Sequence, residues 1–128
     1  MQTFVHYFLH FGAPLVIAHV FFRSQWKKAF LILLATMIVD LDHLLADPIF
    51  QADRCSINFH LLHTYYAMIL YVVLLFFKGP LRLIGIGLLF HMLTDTIDCL
   101  FTYADCKECL ATSPAISLLE SIAELFHI

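Results

Sequence analysis

Residues 28–48, KAFLILLATMIVDLDHLLADP, decide how the chain is read. The apolar run is about as long as the roughly 20 residues that cross the hydrocarbon of a bilayer. Its second half nevertheless carries Asp40, Asp42 and His43, with Asp47 just beyond. A charge in hydrocarbon costs on the order of 3 kcal/mol or more, so such residues are rare unless they face a partner or a function.

The whole composition agrees with a membrane setting. Of 128 residues, 62% are hydrophobic and 13% charged, and the mean hydropathy is +0.88. Soluble domains have about half apolar and a quarter charged residues. The net charge is −3 and the cations are scattered, which excludes the basic footprint of a nucleic-acid surface. The partner implied is membrane lipid.

Hydropathy divides the chain into four spanning segments, residues 4–22, 28–46, 60–77 and 81–101. The first lacks the basic start and small-residue cleavage site of a secretory signal and contains His6, His10 and His19, so it reads as a mature helix, kinked by Gly12 and Pro14. Residues 115–128 form a fifth segment, with Ile116, Leu118, Leu119, Ile122, Leu125 and Phe126 on one helical face and Ser117, Glu120, Ser121 and Glu124 on the other. It is too short to span and reads as an interfacial helix. The expected fold is all-α: a single domain over residues 1–128, a four-transmembrane-helix bundle with a C-terminal amphipathic interfacial helix.

The loops 23–28 and 78–82 hold Arg23, Lys27, Lys28, Lys78 and Arg82, five of the seven cations. The positive-inside rule places those loops in the cytoplasm and both termini outside it. All ten Asp and Glu residues, and seven of the eight His, then fall in the opposite half. At about 1.5 Å per residue, His10, Asp40 and Asp95 lie about 9 Å below the outer boundary, His43 and His63 about 5 Å, and His91 about 15 Å. Asp40 and His43 share one helical face, His91, Asp95 and Asp98 another, and His60, His63 and Thr64 open a third helix.

A divalent metal would satisfy these groups together. Imidazole nitrogens with carboxylate oxygens suit zinc first, with iron and manganese as alternatives, in one or two ions. The candidate ligands are His10, Asp40, His43, His63, His91 and Asp95, and the candidate acid/base residues are Asp42 and Asp98. On an α-helical wheel Asp42 points about 160° from Asp40, toward a neighbouring helix or a ligand histidine.

The ordered pattern LHFGAP, VDLDH, HLLHT and HMLTD resembles the small bacterial membrane-bound metal-dependent hydrolases, the family of the LexA-regulated inner-membrane protein. It resembles still more closely a compact uncharacterised bacterial relative of that family. The family's first-helix His, Pro-Asp-x-Asp, His-Arg-Gly-x-Thr-His-Ser and His-x-x-x-Asp motifs fall on His10, on Asp40 with Asp42, on His63 with Thr64, and on His91 with Asp95. Val39 stands where the second motif has proline, the third lacks its Arg-Gly pair, and His60 precedes His63 by three residues instead of five. The resemblance implies a metal-dependent hydrolase of the bacterial inner membrane; the charge distribution puts its site on the periplasmic side, where a lipid or lipid-linked ester or phosphoester is the expected substrate.

Cys55, Cys99, Cys106 and Cys109 all fall on the outer side, where two disulfides are expected in any of three connectivities. The rival use of Cys106 and Cys109 is a structural zinc site. The rival to a hydrolase is a metal-ion or proton-handling membrane protein, since buried Asp and His also line ion paths. Bis-His haem ligation would leave the carboxylates without a role. His19 and His127 lie away from the layer and are assigned no chemical role.

Overall fold

Helix α1 spans Gln2–Phe21 in the computed structural model, which describes residues 1–49, 51 and 53–127. Residue 128, the end of the expected interfacial segment, lies outside the described residues, as do residues 50 and 52 of the middle loop. The turn Phe8–Gly12 of α1 is π-helical. Pro14 has no N–H to return to the carbonyl of His10 and its ring crowds that carbonyl, so a wider turn absorbs the mismatch.

A 3-10 turn at Arg23–Gln25 reverses the chain into α2, α-helical over Trp26–Ala35 and 3-10 over Thr36–Leu45. Ala18 of α1 packs with Ala29 and Leu33 of α2, and the two alanines allow a close crossing. The Thr36 hydroxyl donates to the Leu33 carbonyl at 2.6 Å as the helix tightens. Side chains three apart eclipse in a 3-10 helix, and the buried residues Thr36, Val39 and Asp42 follow that period.

The middle loop is tied to the bundle by a disulfide from Cys55 to Cys99. Helix α3 covers only Tyr65–Leu74. Thr64 ends the irregular segment in an extended conformation (φ −73°, ψ 156°), and its hydroxyl accepts from the Ala67 N–H at 3.3 Å. This N-cap starts the helix after His60 and His63, which therefore sit in the loop and its 3-10 turn Leu61–His63, outside the helix that the expected 60–77 segment would have given them. Gly79, at φ +66°, turns the chain into α4, Pro80–Asp105.

Helix α4 is the axis of the fold. A Cβ at Gly85 would lie 2.8 Å from the Leu74 Cβ and 3.0 Å from the Tyr71 carbonyl oxygen, and one at Gly87 would lie 2.7 Å from Thr36 Cγ2 and Oγ1. The two glycines let α3 and α2 approach α4 more closely than any side chain permits. Beyond α4, a Cys106–Cys109 disulfide closes a 3-10 turn, Lys107–Leu110, and α5 follows over Ile116–Phe126. Leu119 and Ala123 of α5 bury against a cluster that includes Tyr103 and Leu110, while Leu125 and Phe126 stay exposed. Exposed Lys107 lies beside Tyr103 and 3.7 Å from Glu120, and the Tyr103 hydroxyl, with help from that carboxylate, raises its pKa.

The fold is all-helical, with five helices and no strand among the described residues. Two helices, Gln2–Phe21 and Pro80–Asp105, are long and apolar enough to cross a membrane. Beside its apolar core the molecule carries large apolar side chains on its surface and polar ones inside: Phe4, Phe21, Tyr66 and Phe76 are 74–86% exposed, whereas His63 and His91 are fully buried. Gly85→Ala is expected to cost about 1–3 kcal/mol, because the new methyl meets backbone as well as side chain. Thermal unfolding in detergent tests this, and an unchanged Tm would contradict the close packing.

Candidate metal centre

Four segments deliver the polar side chains to one place. Helix α1 supplies His10, the 3-10 part of α2 supplies Asp40, Asp42 and His43, the turn before α3 supplies His63, and α4 supplies His91 and Asp95. The sequence places these groups in a shallow layer, with His91 deeper. In the structure His10 and His91 lie near the middle of their helices, and His91 joins the same cluster.

At the centre are Asp40 Oδ1, His63 Nε2, His91 Nε2 and Asp95 Oδ2. Asp40 lies 3.5 Å from His63 and 3.1 Å from His91, Asp95 lies 3.1 Å from His63 and 3.6 Å from His91, and the two imidazole nitrogens are 3.3 Å apart. Four donors held tetrahedrally at about 2.1 Å from an ion would be separated by about 3.4 Å. His43 Nε2 lies 3.7 Å from Asp40 Oδ1 at the edge of the group. Asp40, His43, His63 and Asp95 each offer a donor atom within 4.8 Å of the others.

Asp42 fixes the chemistry of His63. Its Oδ2 lies 3.2 Å from His63 Nδ1 and accepts from the Leu62 backbone N–H at 2.6 Å. A carboxylate is an acceptor only, so Asp42 holds a proton on Nδ1 and leaves Nε2 as the nitrogen that a metal would take. Nε2 faces two carboxylates and a second imidazole. Among the described residues no Lys or Arg pairs with Asp40 or Asp95, whose ion-pair partners are all His. Asp95 Oδ2, His43 Nε2 and both nitrogens of His10 are buried without a hydrogen-bond partner. Such a concentration of acceptors is the environment of a cation.

Asp98 stands apart from the central four. Its Oδ1 accepts from the Gln2 side-chain amide at 3.0 Å and lies 3.8 Å from His6 Nδ1. His60 lies against His43, the rings tilted by 41° with centroids 3.9 Å apart, and forms a smaller group with Asp42 and His43. Sequence reasoning missed Gln2, for which 96 residues of separation leave no signal, and Tyr71, whose hydroxyl donates to the Leu62 carbonyl at 2.9 Å and steadies the turn that carries His63.

The centre is closed except along one edge. His63 and His91 side chains are fully buried and Asp95 nearly so, whereas Asp40 and His43 are 39% and 32% exposed. That edge opens on a groove of about 440 Å³ lined by Leu34, Met37, Ile38, Leu41, Leu44 and Ile49 together with Asp40 and His43. A larger cavity of about 580 Å³ lies at the other end of the bundle, beside Arg23, Lys28 and Arg82, and contains none of these ligands. All four cysteines are in disulfides, so neither a thiolate ligand nor a Cys106–Cys109 zinc site is present.

Residues 1–102 match the family of unknown function DUF6122. The chain belongs to that family. The DUF6122 match contains every candidate ligand and ends before Cys106, Cys109 and α5. No curated protein and no solved structure matches the chain, so the resemblance to membrane-bound metal-dependent hydrolases has no named relative behind it.

The geometry gives Asp42 a role distinct from that of the four central residues. Asp42→Asn keeps the shape but offers an N–H or a weaker acceptor to His63, and it is expected to weaken metal binding about 10–100-fold while the protein stays folded. Titration with a divalent ion, followed by calorimetry, checks this. Unchanged affinity would show that Asp42 does not orient His63.

Proposed function

We propose that this protein is a membrane-embedded, metal-dependent hydrolase that acts on a lipid or a lipid-linked ester or phosphoester. The observation that supports the reading is the convergence of two carboxylates and two imidazole nitrogens at coordination spacing inside an apolar shell. A divalent ion there would supply a bound water with a pKa lowered toward about 7 and would polarise a carbonyl or phosphoryl oxygen. Zinc is the ion that the N/O donor set suits first, with iron or manganese next.

The chain's own residues divide the remaining work. Asp42 holds His63 in the tautomer that presents Nε2, and the Cys55–Cys99 bridge pins the loop that carries His60 and His63 to α4. Asp40 and His43 form the open edge, and the apolar groove beside them fits acyl chains better than a water-soluble substrate. In this reading α1, residues 26–45, the α3 segment and α4 form four spans, with α5 packed at the outer surface. The cationic loops face the cytoplasm, and the site and both termini face the periplasm of a bacterial inner membrane.

The rival function is metal or proton handling without hydrolysis. The basic half of the bundle contributes none of the ligands, which favours a pocket closed on one side over a path through the membrane. Protein in nanodiscs, offered a panel of phospholipids and glycerolipid esters, is expected to release a headgroup or acyl product with metal, to stop on chelation and to recover when metal is restored. His91→Ala and Asp95→Asn are expected to lower the rate at least 100-fold, as loss of ligands requires. Metal uptake into proteoliposomes with no turnover of any lipid would support the rival instead.

A further inference from the structure

We infer that the centre holds two cations side by side, bridged by the Asp95 carboxylate, and that its substrate group is a phosphoester; this rests on the metal-dependent reading above. The two oxygens of Asp95 serve different histidines. Oδ2 faces His63 and His91 at 3.1 and 3.6 Å, and Oδ1 faces His10 Nε2 at 3.5 Å. On that second side His6, His10 and Asp95 each present a donor atom within 4.8 Å of the others.

His10 is the observation that requires something beyond one ion. It is 3% exposed, yet neither of its ring nitrogens has a hydrogen-bond partner, and His6 Nδ1 beside it is buried without one as well. His10 Nε2 has only Asp95 Oδ1, at 3.5 Å, as a polar neighbour and Nδ1 has no partner, and each lost bond costs about 1–3 kcal/mol. An ion on the Oδ1 side of Asp95 satisfies His10 and His6 together. The π-helical turn Phe8–Gly12, set by Pro14, is the local feature of α1 that holds His10 at this point, and such turns recur at functional sites.

Charge points the same way. Asp40, Asp42 and Asp95 bring three negative charges to the cluster, more than one divalent ion neutralises. Two ions bridged by one carboxylate, about 3.5–4 Å apart, clamp the attacking and leaving oxygens of in-line displacement at phosphorus. In the proposed hydrolysis, water adds its oxygen to phosphorus as the P–O bond to the alcohol breaks, and the proton lost by the water accounts for the one gained by the alcohol.

The test uses Mn²⁺ as the only metal, on the full-length protein in detergent. Wild type is expected to bind two Mn²⁺ per chain and to give the electron paramagnetic resonance of an exchange-coupled pair, which inorganic phosphate alters. His6→Ala, at a side chain a third exposed and so tolerant of replacement, is expected to bind one ion with an uncoupled six-line spectrum, and His10→Gln to do the same. One ion per chain in wild type would overturn the paired site and leave the metal-dependent reading standing. Binding of no ion would defeat that reading too. A coupled pair indifferent to phosphate would overturn the assignment of a phosphoester.

Discussion

Charged and polar groups that leave water must be matched by something else, and everything around the His63–His91 contact follows from that constraint. In a shell of exposed Phe, Leu and Ile side chains, two carboxylates and two imidazoles face one another, with no Lys or Arg paired to them among the described residues. Hydrogen bonds account for part of the arrangement, as at Asp42 and His63. A cation in the centre would satisfy the unpartnered atoms of Asp95, His43 and His10.

The scaffold is built to keep this constellation from relaxing. Gly85 and Gly87 seat α3 and α2 against α4, so that ligands from distant parts of the chain meet. The Thr64 cap ends the loop at a defined point, leaving His63 in a turn braced by Tyr71 and by the Leu62 N–H. The Cys55–Cys99 bridge closes 44 residues of chain, a constraint of about 4 kcal/mol on the unfolded state, and it lands one helical turn from Asp95. Packing, capping and the covalent tie all act on the same few ångströms.

Residue types at helical spacing are enough to pick out the cluster in the sequence, because an Asp and a His three or four apart on an apolar helix are too costly to keep unless they meet partners or an ion. Hydropathy likewise locates α1 and α4 to within a few residues. The 3-10 continuation of α2 is not legible, because the apolar run reads the same in either helix type, and it alters the angle between Asp40 and Asp42 that an α-helical wheel assumes. The start of α3 is legible in principle, since Thr64 immediately before an apolar run is an N-cap signal, but hydropathy alone passes over it. The pairing of Gln2 with Asp98 leaves no local trace at all.

X-ray absorption at the edge of whatever metal copurifies with the protein tests the central claim most directly. The account predicts stoichiometric metal with a shell of nitrogen and oxygen only, at about 2.0–2.2 Å, and the outer scattering of imidazole rings. Metal-free protein that keeps its fold would contradict it, and so would a sulfur shell at about 2.3 Å, which would move the ion to the cysteines.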